Sequence, residues 1–119
     1  MTTDSPIILH NPRCTKSCQT LALLEARGLT PTVIEYLKNP PQIKELQTLL
    51  DSLGMSARQL LRKKEALYKE LGLDDPKYND RELLRIMIEH PILIERPIVS
   101  YRGKAIIGRP PETVLNLFD

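Results

Sequence analysis

Nine consecutive residues, His10-Asn11-Pro12-Arg13-Cys14-Thr15-Lys16-Ser17-Cys18, concentrate the side chains best suited to chemistry. The apolar run Ile7-Ile8-Leu9 precedes them, and an apolar-periodic stretch starts near Ser17, so the order predicts strand, tight loop, helix. Cys14 then falls at or just before a helix N-terminus. Main-chain N–H groups without intrahelical partners point at the sulfur there, and the positive end of the helix dipole favours a thiolate. Arg13 and Lys16 flank the cysteine and His10 lies four residues upstream; each lowers the thiol pKa if it is aimed at the sulfur. The thiolate is the nucleophilic form, and the same N–H groups would hold an oxyanion. The competing reading is a small buried hydrophobe, the usual state of an intracellular cysteine. A polar, basic loop containing Pro12 argues against it for Cys14.

Three arginines are the next candidates. Arg96 precedes Pro97 and Arg109 precedes Pro110. A residue before proline is held extended, which fixes the direction of its side chain. A guanidinium offers a planar, permanently charged fork of donors that suits a tetrahedral oxyanion. Arg62 stands at the end of a predicted short helix. Taken singly, each also reads as solvated surface charge, and periodicity does not separate Arg62 from Arg58 one turn earlier. Cys18 gives a C-x-x-x-C spacing with Cys14. Helical i, i+4 positions come within disulfide range, but their Cβ vectors run nearly parallel, so packing beside Leu21 is the preferred reading of Cys18. His90 before Pro91 reads as a helix C-terminal cap. The sequence holds no metal-ligand cluster, no glycine-rich phosphate loop and no paired carboxylates, so no metal site and no bound cofactor are expected.

The elements that must position these residues follow from pattern. Strand 7–9, a helix carrying Ser17, Leu21 and Leu24 and capped by Gly28, and a strand over 31–36 make a βαβ unit with parallel strands. Asn39-Pro40-Pro41 opens a helix with Ile43, Leu46, Leu50 and Leu53 inward and Gly54 closing it. Ser56 to Gln59 has capping-box spacing and predicts a helix from Ala57 to about Arg62. A helical turn or two over 64–71 and a helix capped by Asn79 and stopped at His90-Pro91 complete a helical stretch. The period then changes. Ile92-Leu93-Ile94, Pro97 to Ser100 and Ala105 to Ile107 read as strands, with a hairpin turn at Tyr101-Arg102-Gly103-Lys104 and a last helix over 112–117. The plan is α/β: a thioredoxin-like, glutaredoxin-like mixed sheet with a helical insertion between its βαβ and ββα halves. Residues 1–6 are expected to form a disordered tail and 7–118 a single domain, with the insert at about 42–90.

Bulk properties narrow the classes. A chain of 119 residues suits one domain with one modest core. A net charge of +2 argues against a nucleic-acid coat or an acidic tail, and the scarcity of aromatics argues against stacking platforms for single strands. No apolar run reaches membrane-spanning length, and the first residues lack the basic and apolar blocks of a secretory signal. Two cysteines without an export signal point to the cytoplasm, where any disulfide is transient.

Six segments together make a resemblance. His10-Asn11-Pro12-Arg13-Cys14, Leu60-Leu61-Arg62-Lys63, Tyr68 to Leu73, His90 to Ile94, Glu95-Arg96-Pro97-Ile98-Val99 and Gly108-Arg109-Pro110-Pro111-Glu112 run in order and at matching spacing. In them the sequence closely resembles the glutaredoxin-coupled arsenate reductase family, in its arsenate-reductase-like branch, over nearly the whole chain. The resemblance implies a nucleophilic Cys14, tuned by His10 and with Ser17 hydrogen-bonding near the thiolate. It implies that Arg62, Arg96 and Arg109 bind the oxyanion and the thiol-bound arsenic product, and that the Arg96–Pro97 bond is cis. Cys18 departs from the family pattern.

The implied reaction is reduction of arsenate to arsenite. Cys14 forms a thiol–arsenate adduct, glutathione attacks as co-substrate, arsenic becomes trivalent, and glutaredoxin resolves the glutathione mixed disulfide. Neither nucleic acid nor membrane is an expected partner. Two other readings compete with it. A general glutathione-linked thiol–disulfide oxidoreductase would need no oxyanion, and the missing C-x-x-C counts against it. A non-enzymatic regulator of the Spx type, binding RNA polymerase, would share the fold but carry a C-x-x-C switch and have no use for three arginines.

Overall fold

A computed structural model describes residues 5–118. The expected tail at 1–6 therefore lies mostly outside the described residues; within them, the buried Pro6 offers its carbonyl to the Thr32 N–H at 2.8 Å. The chain forms two compact units. The first takes the N-terminal stretch to Asn39 and returns at Arg96, and the second spans Pro40–Glu95.

The first unit is a four-stranded mixed sheet. Strand β1 (Ile7–His10) lies between β2 (Thr32–Glu35), parallel to it, and β3 (Ile98–Tyr101), antiparallel; β4 (Lys104–Ile107) pairs antiparallel with β3 at the edge. Helix α1 (Thr15–Ala26) links the two parallel strands. The sheet architecture is α/β and thioredoxin-like. Register sets Ile8 opposite Val99 and Val99 opposite Ile106. This row packs with Leu24 of α1 and Val114 of the C-terminal segment into a buried cluster, which Leu21, Leu29, Leu117 and Phe118 extend. Each fully buried aliphatic side chain contributes about 1.5–3 kcal/mol by leaving water, and this cluster is what presses α1 onto the sheet.

Local chemistry sets the boundaries. Past the end of α1, Gly28 N–H bonds Glu25 O at 2.9 Å and Leu29 N–H bonds Leu24 O at 3.1 Å, the paired bonds that satisfy terminal carbonyls. Between β3 and β4, Arg102 and Gly103 have φ of 49° and 78°; a two-residue hairpin whose twist matches its strands needs both positive.

The second unit is helical: α2 (Ile43–Leu53), α3 (Ala57–Leu60), α4 (Ala66–Glu70) and α5 (Asp80–Glu89). The boxes at Ser56/Gln59 and Asn79/Glu82 both form, each side chain serving the other residue's backbone. Leu46, Leu50, Leu60, Leu73, Leu83 and Met87 are among its buried side chains.

Three expectations are corrected. Residues 92–94 are not a strand: Pro91–Leu93 is a 3₁₀ turn, and only Ile94 makes a β-bridge, to Leu61. Pro91 fixes the local φ and Leu93 N–H closes onto His90 O at 2.9 Å, so the apolar run coils where β-branched composition suggested extension. The last helix is likewise 3₁₀, over Pro111–Phe118. Helix α3 stops at Leu60; Leu61 is extended, and its pairing with Ile94 takes the chain out of the helix before Arg62.

Candidate active site

The loop after β1 is tied by its own polar groups. Asn11 Oδ1 accepts the Arg13 N–H at 2.9 Å, and Asn11 O accepts the Cys14 N–H at 3.0 Å. Asn and Pro favour such a turn, Asn through its side-chain oxygen and Pro12 through its fixed φ. The turn delivers Cys14 as the N-cap of α1, extended at φ −101° and ψ 120°. A cap residue normally offers a side-chain oxygen to the N–H groups two and three residues on; here the sulfur occupies that place.

Cys14 is only 9% exposed. Burial alone would push its thiol up. The N–H of Ser17, the charge of Arg96, the N–H of Lys16 and a hydrogen bond from the Arg96 side chain together outweigh burial and bring the thiol below its ordinary value. The groups that lower it are two main-chain N–H groups of the first helical turn and the Arg96 side chain. Arg13 and Lys16 are exposed, and Lys16 acts through its backbone.

Ser17 serves the sulfur through its N–H, and its hydroxyl is engaged elsewhere. The Oγ is fully buried, accepts the Asn11 N–H at 3.0 Å and shares a hydrogen with His10 Nδ1 at 2.6 Å. Burial pushes His10 below the usual histidine range, and Glu35, its register partner on β2, offsets part of that. His10 thus acts as a neutral brace between strand and helix at neutral pH. The signal for this brace was the seven-residue separation of His10 and Ser17 across a predicted strand–loop–helix.

Arg96 and Arg109 come together at the start and end of the β3–β4 hairpin. Both Arg96–Pro97 and Arg109–Pro110 are cis. Arg109 Nε donates to the Arg96 carbonyl at 2.9 Å, so one arginine holds the backbone of the other. Arg62 belongs to the helical unit, where it pairs with Glu65 at 2.9 Å and donates to Ile92 O at 3.2 Å. Its neighbour in the sequence reading, Arg58, is a structural brace: it donates to the carbonyls of Leu73, Asp75 and Tyr78 at 2.7, 3.1 and 3.3 Å.

Cys18 is not packed. It is exposed, its thiol donates to Pro12 O at 3.3 Å, and both cysteines are free thiols. Leaning toward the helix N-terminus, as helical side chains do, carries Cys18 over Pro12 and not into the core beside Leu21. Among the described residues no group of three His, Cys, Asp or Glu could hold a metal ion, and no helix is long and apolar enough to cross a membrane.

A buried, ionisable sulfur at a helix N-terminus with a guanidinium on it can attack an electrophile and hold an oxyanion beside it. Known proteins with related sequences give this site a context. The ArsC family model matches residues 9–117. The arsenate reductase of Neisseria meningitidis serogroup A is 51% identical over 108 residues, covering 90% of this chain and 92% of its own. That of Haemophilus influenzae is 49% identical over 114 residues, covering 95% and 98%. The solved structure of an arsenate reductase from Vibrio cholerae superposes with a TM-score of 0.93 at 51% identity, covering 97% of this chain and 98% of its own.

Proposed function

The chain belongs to the ArsC family, and from that footing we propose that it is an arsenate reductase of the cytoplasm, with glutathione as co-substrate and glutaredoxin as protein partner. Arsenate docks against the N–H groups at the start of α1 and the guanidinium groups of Arg96 and Arg109. Arg62 is assigned to the same task by the family resemblance alone. The Cys14 thiolate attacks arsenic; a sulfur–arsenic bond forms and one oxygen, taking up a proton, leaves as water or hydroxide. Glutathione condenses with the adduct as a second thiol, losing water. A glutaredoxin thiolate then takes the glutathione sulfur as a mixed disulfide. The electron pair of the broken arsenic–sulfur bond stays on arsenic, which becomes trivalent. Hydrolysis of the remaining sulfur–arsenic bond releases arsenite and restores Cys14.

This chain's residues contribute electrostatics. Thiolate and arsenate repel each other, and fixed N–H dipoles and guanidinium charges offset that repulsion most where charge builds up in the transition state. His10 and Ser17 hold the loop against α1 so that the donors stay aimed. The observation that supports the reading best is the Arg96 guanidinium on the Cys14 sulfur, opposing the effect of burial.

The test is an assay coupling arsenate, glutathione and glutaredoxin, with each left out in turn. Turnover requires all three and vanishes in Cys14→Ser. Full turnover by Cys14→Ser would overturn the proposal. Turnover of a glutathione mixed disulfide that needs no arsenate and ignores Arg109→Ala would replace it with a general thiol–disulfide oxidoreductase. Capture of RNA polymerase with no reductase activity would replace it with a regulator.

A further inference from the structure

Gly108, the residue between β4 and Arg109, is buried at a close approach of two site-bearing segments. Its N–H bonds Pro97 O at 2.9 Å. A β-carbon there would lie 2.7 Å from Thr20 Oγ1, 2.9 Å from Pro97 Cγ and 3.3 Å from Thr20 Cγ2. Neither neighbour yields cheaply. Thr20 is fully buried, its hydroxyl donates to Lys16 O at 2.8 Å, and a β-branched side chain has few rotamers to change to. The proline is a closed ring on a fixed backbone. Thr20 lies on α1, the helix that Cys14 caps, whereas Pro97 follows Arg96 directly.

We infer that Gly108 is a positioning residue: its missing β-carbon sets the separation of α1 from the Arg96–Pro97 segment and so holds the Arg96 guanidinium against the Cys14 sulfur. A methyl group forces the two segments apart. The supports of the sulfur then respond unequally. The N–H groups of Lys16 and Ser17 travel with Cys14 on the same helix and keep their contact, while Arg96, on the far side of the wedge, loses its own. The inference rests on the reading of Cys14 as the nucleophile. Its readout is ionisation of the thiol, which does not depend on arsenate being the substrate, so the two can fail separately.

The experiment follows the pH dependence of iodoacetamide alkylation in a Cys18→Ser background, so that Cys14 is the reporting thiol. Gly108→Ala lowers the alkylation rate at pH 7 by about three- to tenfold, the effect of weakening one hydrogen bond to a charged group, and moves the profile to higher pH. Thr20→Ala, added to it, removes two of the three close contacts and recovers part of the rate. In an Arg96→Gln background Gly108→Ala has no further effect. The double variant Thr20→Ala/Gly108→Ala keeps the test open if Gly108→Ala alone does not fold. An unchanged profile in Gly108→Ala, or a full additional loss in the Arg96→Gln background, would overturn the inference.

Discussion

The sulfur of Cys14 is governed by a competition that burial alone would win in favour of the thiol. Two N–H groups fixed by helix geometry and one guanidinium reverse it. Arg96→Ala therefore leaves the thiol buried without its charge partner, and the oxyanion without a donor. We expect kcat/KM for arsenate to fall by about 10²–10³, the usual cost of one such donor, in a protein whose circular dichroism is unchanged. His10 answers to pH in a different way. Its folded pKa lies below its unfolded value, so below about pH 6.5 the unfolded chain takes up a proton that the native site refuses. Stability is full above that pH, is lost as pH falls toward the folded pKa, and levels off below it. His10→Gln should flatten this part of the acid-side loss in urea titrations at successive pH values; an unchanged slope would remove His10 as its source. The cap position of Cys14 was legible in the sequence because its signals are local: the apolar run, Pro12 and the start of the helical period adjoin it in the chain.

At the scale of elements, boundaries with a chemical signal were readable and those set by pairing were not. The capping boxes at Ser56 and Asn79 and the hairpin at Arg102-Gly103 announce themselves in residue type. The early end of α3 does not, because the Leu61–Ile94 bridge that ends the helix joins residues 33 apart in the chain; the 3₁₀ turn at 91–93 was masked by an apolar run whose composition suits a strand. Arg58 shows the same limit. It belongs to a helix of four residues, yet its work is to gather three carbonyls of the 73–78 loop. Arg58→Ala should destabilise the helical unit by about 1–3 kcal/mol, since the buried carbonyl of Leu73 loses a charged donor, and should speed amide exchange in residues 73–78. Exchange at the wild-type rate would reduce Arg58 to a surface charge. In the sheet, Ile8→Ala should cost about 2–5 kcal/mol in urea unfolding, because a fully buried side chain at the centre of the α1–sheet cluster leaves a cavity.

At the scale of the whole chain, the candidate site in the first unit is assembled from its two ends: residues 10–17 supply the Cys14 sulfur and its N–H groups, and residues 96–109 supply the guanidinium. No periodicity could select Arg96 from the other arginines; its place before Pro97 singled it out, the family resemblance gave it a role, and the β1–β3 pairing with register Leu9 to Ile98 brings it near. Folding itself is therefore what lowers the thiol pKa. The most direct measurement is the pH dependence of Cys14 alkylation in Cys18→Ser, native and unfolded in urea. The account predicts that half-maximal rate comes at lower pH in the native protein, and that Arg96→Gln moves the native curve toward the unfolded one. A native curve that coincides with the unfolded one, or lies above it, would contradict the account.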